Sequence, residues 1–307
     1  MSINRRRFLK LTALSGTAST LMNPSEIIAE PFRTSTQAGF ELLIFATNWG
    51  FTGSWDEFCG KIKQEGYDGA EAWYPEEEKQ RNEFLTAFEK HNLKFGLLVG
   101  GNDRDHKKHL QQFSSSLEKA AELKPVYINC HSGRDHFTFE QNKAFIDRTT
   151  EVSERTKVPV YHETHRGRIL YAAPIARQFM EKIQPLRLTL DISHWCNVHE
   201  SLLDDQEDTV ALALSRTDHI HTRIGHAEGP QVNDPRAPEW KDAVAAHVGW
   251  WDRVVEIKRK EGKRLTMLTE FGPPDYLPAL PFTRQPVANQ WEINKYMLDT
   301  LRKRYGK

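Results

Sequence analysis

The chain has 307 residues, with 42 Lys and Arg balanced by 42 Asp and Glu, and 38% of its residues are hydrophobic. That length suits one large α/β domain or two ordinary ones, and it can bury a sizeable core. Zero formal net charge leaves no global field to draw nucleic acid or anionic lipid to the surface. Cys59, Cys130 and Cys196 are widely spaced with no C-x-x-C pair. They are expected as buried thiols that behave as small apolar side chains.

The first segment is Asn4-Arg5-Arg6-Arg7-Phe8-Leu9-Lys10, followed by a weakly apolar stretch over 11–22. It resembles the twin-arginine export motif. The stretch is too short and too polar to span a membrane, and no other segment is a candidate for stable membrane insertion. Residues 1–35 are therefore set apart as signal and flexible leader, and the fold is expected in 36–307. The resemblance implies the twin-arginine translocation machinery as a partner and a periplasmic or cell-envelope location. That route carries folded proteins, often with a metal already in place.

From residue 40 onward, short apolar runs alternate with longer stretches of helical periodicity. Strands are expected over 41–47, 68–73, 94–99, 126–130, 158–163, 187–191, 219–224 and 265–270. The intervening helices are expected over 54–65, 76–91, 107–123, 139–156 and 173–183. A less regular segment over 201–214 follows the sixth strand. A polar, Pro-containing insert over 227–240 reads as a rim loop before a helix running to about 260, and 291–304 closes the chain. Eight such units in series predict one (β/α)₈ barrel. A doubly wound nucleotide fold would show a Gly-rich turn after the first strand, whereas this chain has Asn48-Trp49-Gly50-Phe51.

In a barrel, the chemistry sits at the C-terminal ends of the strands. Glu163, Asp191, His221 and Glu270 occupy four consecutive such ends. Buried carboxylates need a partner, and one divalent ion (Mn, Mg, Co or Zn) is the expected one. Without it, three crowded carboxylates should force at least one to take a proton. With it, a substrate carbonyl is polarised and an enediolate stabilised. Glu163 and Glu270, on strands five and eight, form an acid/base pair able to move a proton beside a carbonyl. Return from the far face gives epimerisation, and return from the same face gives aldose–ketose isomerisation.

Other residues surround this set. His194, in Asp-Ile-Ser-His, is a support for the ring or a substrate contact. His219 and His221 face one side of their strand, so His219 can lie deeper and brace its neighbour. His131 ends strand four as a substrate contact or a loop cap, and His165 is grouped with the substrate contacts. Trp49 and Trp73 end strands one and two, where an aromatic ring can stack on a sugar or pack the rim, and Glu71 precedes Trp73. Arg134, Arg166 and Arg223 could hold a phosphate or carboxylate.

The order Glu, Asp-x-x-His, His-x-His, Glu over strands five to eight resembles the xylose-isomerase-like TIM-barrel superfamily. That group includes sugar isomerases and epimerases and the endonuclease IV type of DNA-repair enzyme. By resemblance to its ketose 3-epimerases, Glu163, Asp191, His221 and Glu270 would be the metal ligands. Glu163 and Glu270 would be the acid/base pair, and His194 a substrate contact. The endonuclease IV pattern matches at His131, Glu163, Asp191, His194, His221 and Glu270. It departs at Asn233-Asp234-Pro235-Arg236, where Arg stands in place of a metal-binding His.

The expected function is a metal-dependent sugar isomerase or epimerase acting on a small, unphosphorylated ketose or keto-sugar, with no nucleic-acid partner. The resemblance also allows a homo-oligomer. The alternatives are a lyase or hydrolase of a 3-keto-glycoside, a non-catalytic sugar-binding barrel, and an endonuclease IV-like phosphodiesterase.

Overall fold

Alternation within each short strand decides which side chains face the barrel axis and which face the helices. The computed structural model describes residues 22–35 and 38–306, and the Arg5-Arg6 motif lies outside them. Eight parallel strands close in chain order, each paired to the next and β8 to β1. They are β1 (Glu41–Thr47), β2 (Gly69–Trp73), β3 (Lys94–Gly100), β4 (Ile128–His131), β5 (Val160–Glu163), β6 (Leu188–Leu190), β7 (Thr217–His221) and β8 (Arg264–Thr269). The expected (β/α)₈ barrel is the observed fold.

Helix α1 (Pro24–Ala29) precedes the barrel. The outer ring is α2 (Trp55–Glu65), α3 (Glu78–Lys90), α4 (His106–Glu122), α5 (Phe139–Thr156), α6 (Ala173–Lys182), α7 (Ser193–Val198), α8 (Glu207–Arg216), α9 (Lys241–Glu261) and α10 (Gln290–Tyr305). Local chemistry starts and stops them. Ser54 and Thr138 close reciprocal caps with Glu57 and Gln141. Gly66 and Gly262 end α2 and α9 in the left-handed conformation. Among the described residues no helix is long and apolar enough to cross a membrane.

Outward strand residues such as Ile44, Ala70, Leu97, Ile128, Leu188, Ile220 and Met267 join the main core with the helices. Leu43, Phe45, Tyr127 and Leu268 form a separate cluster inside the barrel. Gly96 makes room there, because a Cβ on it would lie 2.4 Å from the Tyr127 ring. This apolar plug forms the floor beneath the polar mouth. All three cysteines are free and buried, as expected.

Several boundaries differ from expectation. The seventh strand spans 217–221, not 219–224, because Thr217 continues directly from α8, its hydroxyl donating to Ala213 O at 2.8 Å. The short helix α7 was not anticipated, and part of the irregular 201–214 segment is helical in α8. Helix α1 falls inside the stretch set apart as leader, yet it is docked. Ile28 is fully buried, and Arg304 donates to Ile27 O and Glu30 O at 2.7 Å each. The flexible part of the leader therefore cannot extend through residue 30.

Arg304 also makes a two-pronged pair with Asp252, at 2.8 and 2.6 Å. Arg304→Ala removes the donor of two helix-end carbonyls and leaves the mostly buried Asp252 carboxylate with only the Tyr305 hydroxyl, at 2.9 Å. The expected loss is about 3 kcal/mol, the low end for a broken buried pair. Arg155→Ala on the exposed face should stay within about 0.5 kcal/mol. Denaturant unfolding of the two variants checks this.

Candidate functional site

Inward parity at the upper ends of the strands brings the four expected residues together. His221 Nδ1 lies 2.8 Å from Glu270 Oε2, 3.7 Å from Glu163 Oε1 and 4.0 Å from Asp191 Oδ2. Asp191, His221 and Glu270 present donor atoms all within 4.8 Å of one another. Glu163 faces the same nitrogen from β5. His221, Glu163 and Asp191 are buried, and Glu270 is partly so.

The donor set fits a divalent cation. It has three carboxylates and one imidazole, a mixture suited to Mn, Mg, Co or Zn. His221 Nδ1 and Glu270 Oε2 are buried and face each other at 2.8 Å, and neither makes an aligned hydrogen bond to that or any other group among the described residues. Two buried lone-pair atoms brought this close from separate strands repel unless a proton or a cation is shared between them. Protonation shows the same strain. Burial, with Glu270 and Glu163 nearby, pushes Asp191 up to about 6 although Arg223 pulls the other way. Burial disfavours charge on His221, yet Glu270 and Glu163 outweigh it and raise its pKa well above the usual range.

The expected substrate contacts are arranged in two ways. Trp49 and Trp73 stand on the rim, 37% and 52% exposed. Trp73 meets His131 edge-on at 5.4 Å, and His131 Nε2–H donates to Glu163 Oε2 at 2.9 Å. The His165 ring lies between His131, at 4.6 Å, and His194, at 3.9 Å. His194 and Arg223, by contrast, are closed in, 0% and 2% exposed. Arg223 Nη2 pairs with Asp191 Oδ2, lies 3.5 Å from Glu270 Oε2, and donates to His194 Nε2 at 3.0 Å. In this arrangement both side chains brace the ring. Arg236, in the insert, pairs with Asp234 at 2.6 Å.

Five further contributors had no assigned role. Glu71, buried on β2, lies 3.6 Å from His221 Nε2 and 3.5 Å from His219 Nε2. Burial opposes its charge, but the two imidazoles outweigh it and hold the carboxyl down to about 2. A carboxylate behind the far nitrogen of His221 favours a proton there and leaves Nδ1 toward the ring. Asn129 sits between the two acids, its amide N–H donating to Glu163 Oε2 at 2.8 Å and to Glu71 Oε1 at 3.4 Å. Two buried acceptors need a donor between them. The signal for both residues was a polar side chain at inward parity in an otherwise apolar strand.

The third is Gln231, whose amide bonds both backbone groups of Gly272, at 2.7 and 3.1 Å. Asn294 does the same for Phe271, at 2.9 Å each. Together they clamp the backbone directly after Glu270. Gly272 has no Cβ because Trp49 would lie 2.3 Å from one. The fifth is Tyr276, which covers this corner. Arg223 and Arg166 lie over its ring at 4.7 and 5.1 Å, and Trp49 meets it edge-on at 4.9 Å.

Fold and site together define an α/β barrel whose C-terminal mouth carries a converging carboxylate–imidazole centre. Residues 59–234 match the family model of the xylose isomerase-like TIM barrel, and the chain belongs to that family. No curated protein matches the sequence. Among solved structures, the chain resembles the 3-keto-D-glucoside 4-epimerase of E. coli at 18% identity and a TM-score of 0.56, over 85% of this chain and 99% of that one. It resembles a protein described as the probable 3-DHS dehydratase of petrobactin synthesis from Bacillus anthracis at 16% identity and a TM-score of 0.56, over 85% and 98%. An AP endonuclease, family 2, from Brucella melitensis matches at 12% identity and a TM-score of 0.51, over 76% and 93%. At these identities the likeness is one of fold.

Glu71→Gln keeps the shape of the side chain and removes the charge behind His221. Divalent-ion affinity should fall about 10- to 100-fold, as for other losses of a carboxylate behind a ligating histidine. Competition against a chelator, with an unchanged far-UV spectrum as the folding control, checks it.

Proposed function

We propose that this protein is an enzyme that moves a proton next to the carbonyl of a ketose or keto-sugar, as an isomerase or epimerase. The observation that carries the reading is the convergence of Glu163, Asp191, His221 and Glu270 on one point, with His221 Nδ1 and Glu270 Oε2 facing each other at 2.8 Å without an aligned hydrogen bond. These four would hold one divalent ion, which when bound supplies Lewis-acid polarisation of a substrate carbonyl. The family and an epimerase of similar fold support a sugar as the substrate class.

The chain's own groups then divide the work. Glu163 and Glu270 enter the mouth from β5 and from beyond β8. A carboxylate on each side of a bound sugar can take a proton from one face and deliver one to the other. His131 and Asn129 both donate to Glu163 Oε2, which fixes that carboxylate and leaves Oε1 on the ring side. The Gln231 and Asn294 clamps do the corresponding work for Glu270. Trp49 and Trp73 offer half-exposed rings for the apolar face of a sugar, and the wall they form limits water beside the reacting carbon.

Elemental mass spectrometry of the purified protein should find one Mn, Co, Mg or Zn per chain, with less in Glu163→Gln. On keto-sugars in D₂O, turnover should place deuterium on the carbon beside the carbonyl. Glu163→Gln and Glu270→Gln should each slow it about 10²- to 10⁴-fold, the usual range for acid/base groups. Full turnover in both variants would reject the mechanism. Two product fragments would favour the lyase. Two or three zinc ions per chain would favour a phosphodiesterase, for which His131, Glu163 and His165 form a second ligand group.

Export is part of the proposal. Residues 1–35 fused to a folded reporter should direct it across the inner membrane, and Arg5→Lys with Arg6→Lys should hold it in the cytoplasm. Fractionation of reporter activity reads the outcome.

A further inference from the structure

Next to the carboxylate ring, neighbouring strand exits carry two arginines that make no direct ion pair among the described residues, although Glu163 and Asp135 lie close enough to act on Arg168. Arg134 follows β4 and Arg168 follows β5, and both reach back to the exit of β3. Arg134 Nη2 and Arg168 Nη2 donate to the same oxygen, Asn102 Oδ1, at 3.0 and 3.3 Å, and Arg168 Nη1 donates to Gly101 O at 2.9 Å. Both side chains are partly buried. Among the described residues neither has a carboxylate oxygen within ion-pair distance, whereas Arg148, Arg187, Arg223 and Arg304 each have at least one.

Two guanidiniums converging on one neutral oxygen repel each other. Burial, followed by the Arg134 charge, pulls Arg168 down to about 10. Arginine relieves such stress by gaining an anion, not by losing its proton. The pair is also continuous with the site. His131 donates to Glu163, Trp73 meets His131, and a Cβ on Gly100 would lie 3.2 Å from both His131 and Trp73. Gly101 and Asn102, which hold the arginines, come next in the chain.

We propose that Arg134 and Arg168 form an anion subsite for a carboxylate or phosphate group at the end of the substrate remote from the reacting carbon. This rests on the reading of the barrel mouth as a sugar site and narrows its substrate to an acidic sugar. A planar fork beside a second one suits two-oxygen recognition of either group. The neutral amide of Asn102 holds both in place without satisfying their charge.

The test is isothermal titration of the protein with inorganic phosphate and with D-gluconate, each with and without added Mn²⁺. Arg134→Gln, Arg168→Gln and Arg168→Lys are compared with wild type and with the remote Arg155→Gln. The expected result is anion binding that persists without Mn²⁺. It should weaken about tenfold to a hundredfold in each Gln variant, as for loss of a charge-assisted hydrogen bond. Arg168→Lys should recover part of it, and Arg155→Gln should behave as wild type. Stronger binding of gluconate assigns a sugar acid, and stronger binding of phosphate assigns a phosphorylated sugar. No binding of either anion, or binding that survives both Gln substitutions, overturns the subsite. So does binding that requires Mn²⁺ and ignores the arginines, because the anion then sits on the ion. Mn²⁺ affinity from the same samples reports separately on the proposed function. Arg-dependent anion binding in a protein that takes up no metal sinks the metal reading and leaves the subsite standing.

Discussion

Excess negative charge inside a closed barrel is the constraint on which this site depends. Glu71, Glu163, Asp191 and Glu270 point into one low-dielectric mouth, and Arg223 is the permanent cation buried among them. Like charges in such a place cannot all persist without a counter-charge. The raised Asp191 and His221 pKa values show the same pressure, since each proton taken up offsets part of the crowded negative charge. The surrounding donors, Asn129, His131 and Ser193, each serve an oxygen that would otherwise face only other acceptors.

That charge is tolerable because of the layering beneath it. Leu43, Phe45, Tyr127 and Leu268 fill the lower barrel, so the acids form a shallow layer at the mouth and not a polar core. His219 and Glu71 mark the transition, since His219 Nδ1 is held by Thr266 on β8 and its ring packs on Tyr127 at 4.3 Å. Packing below thus gives rigidity to the ligands above. The Gln231 and Asn294 clamps extend this rigidity past the end of β8, where the backbone leaves the sheet and has no ladder partner to hold Glu270.

The half-exposed wall from Trp73 to the Asn102 loop has a different character. It is basic and aromatic, where the ring is acidic. A substrate with an anionic end and an uncharged end would be attracted by the basic wall at the first and kept from placing its anion against the acidic ring, a division that gives orientation.

Local residue patterns were enough to read the barrel and to pick out the four residues that the fold brings together at its mouth. Short apolar runs, broken by Glu, Asp or His at the exits of β5 to β8, name both the strand and the side chain at its costly end. This reading found Glu163, Asp191, His221 and Glu270, because each announces itself as a polar residue at a costly position. Tertiary structure decided the pairings. Glu71 reaches His219 and His221 across the barrel, Asn294 bonds Phe271 from the last helix, and Arg168 meets Arg134 over the β3 exit. Those contacts join residues far apart in the chain whose types are ordinary for loops and helices. Only closure of the barrel brings them within hydrogen-bond or ion-pair distance. Strand limits such as 217–221 were likewise set by ladder partners and by the direct run from helix to strand, which local composition does not encode.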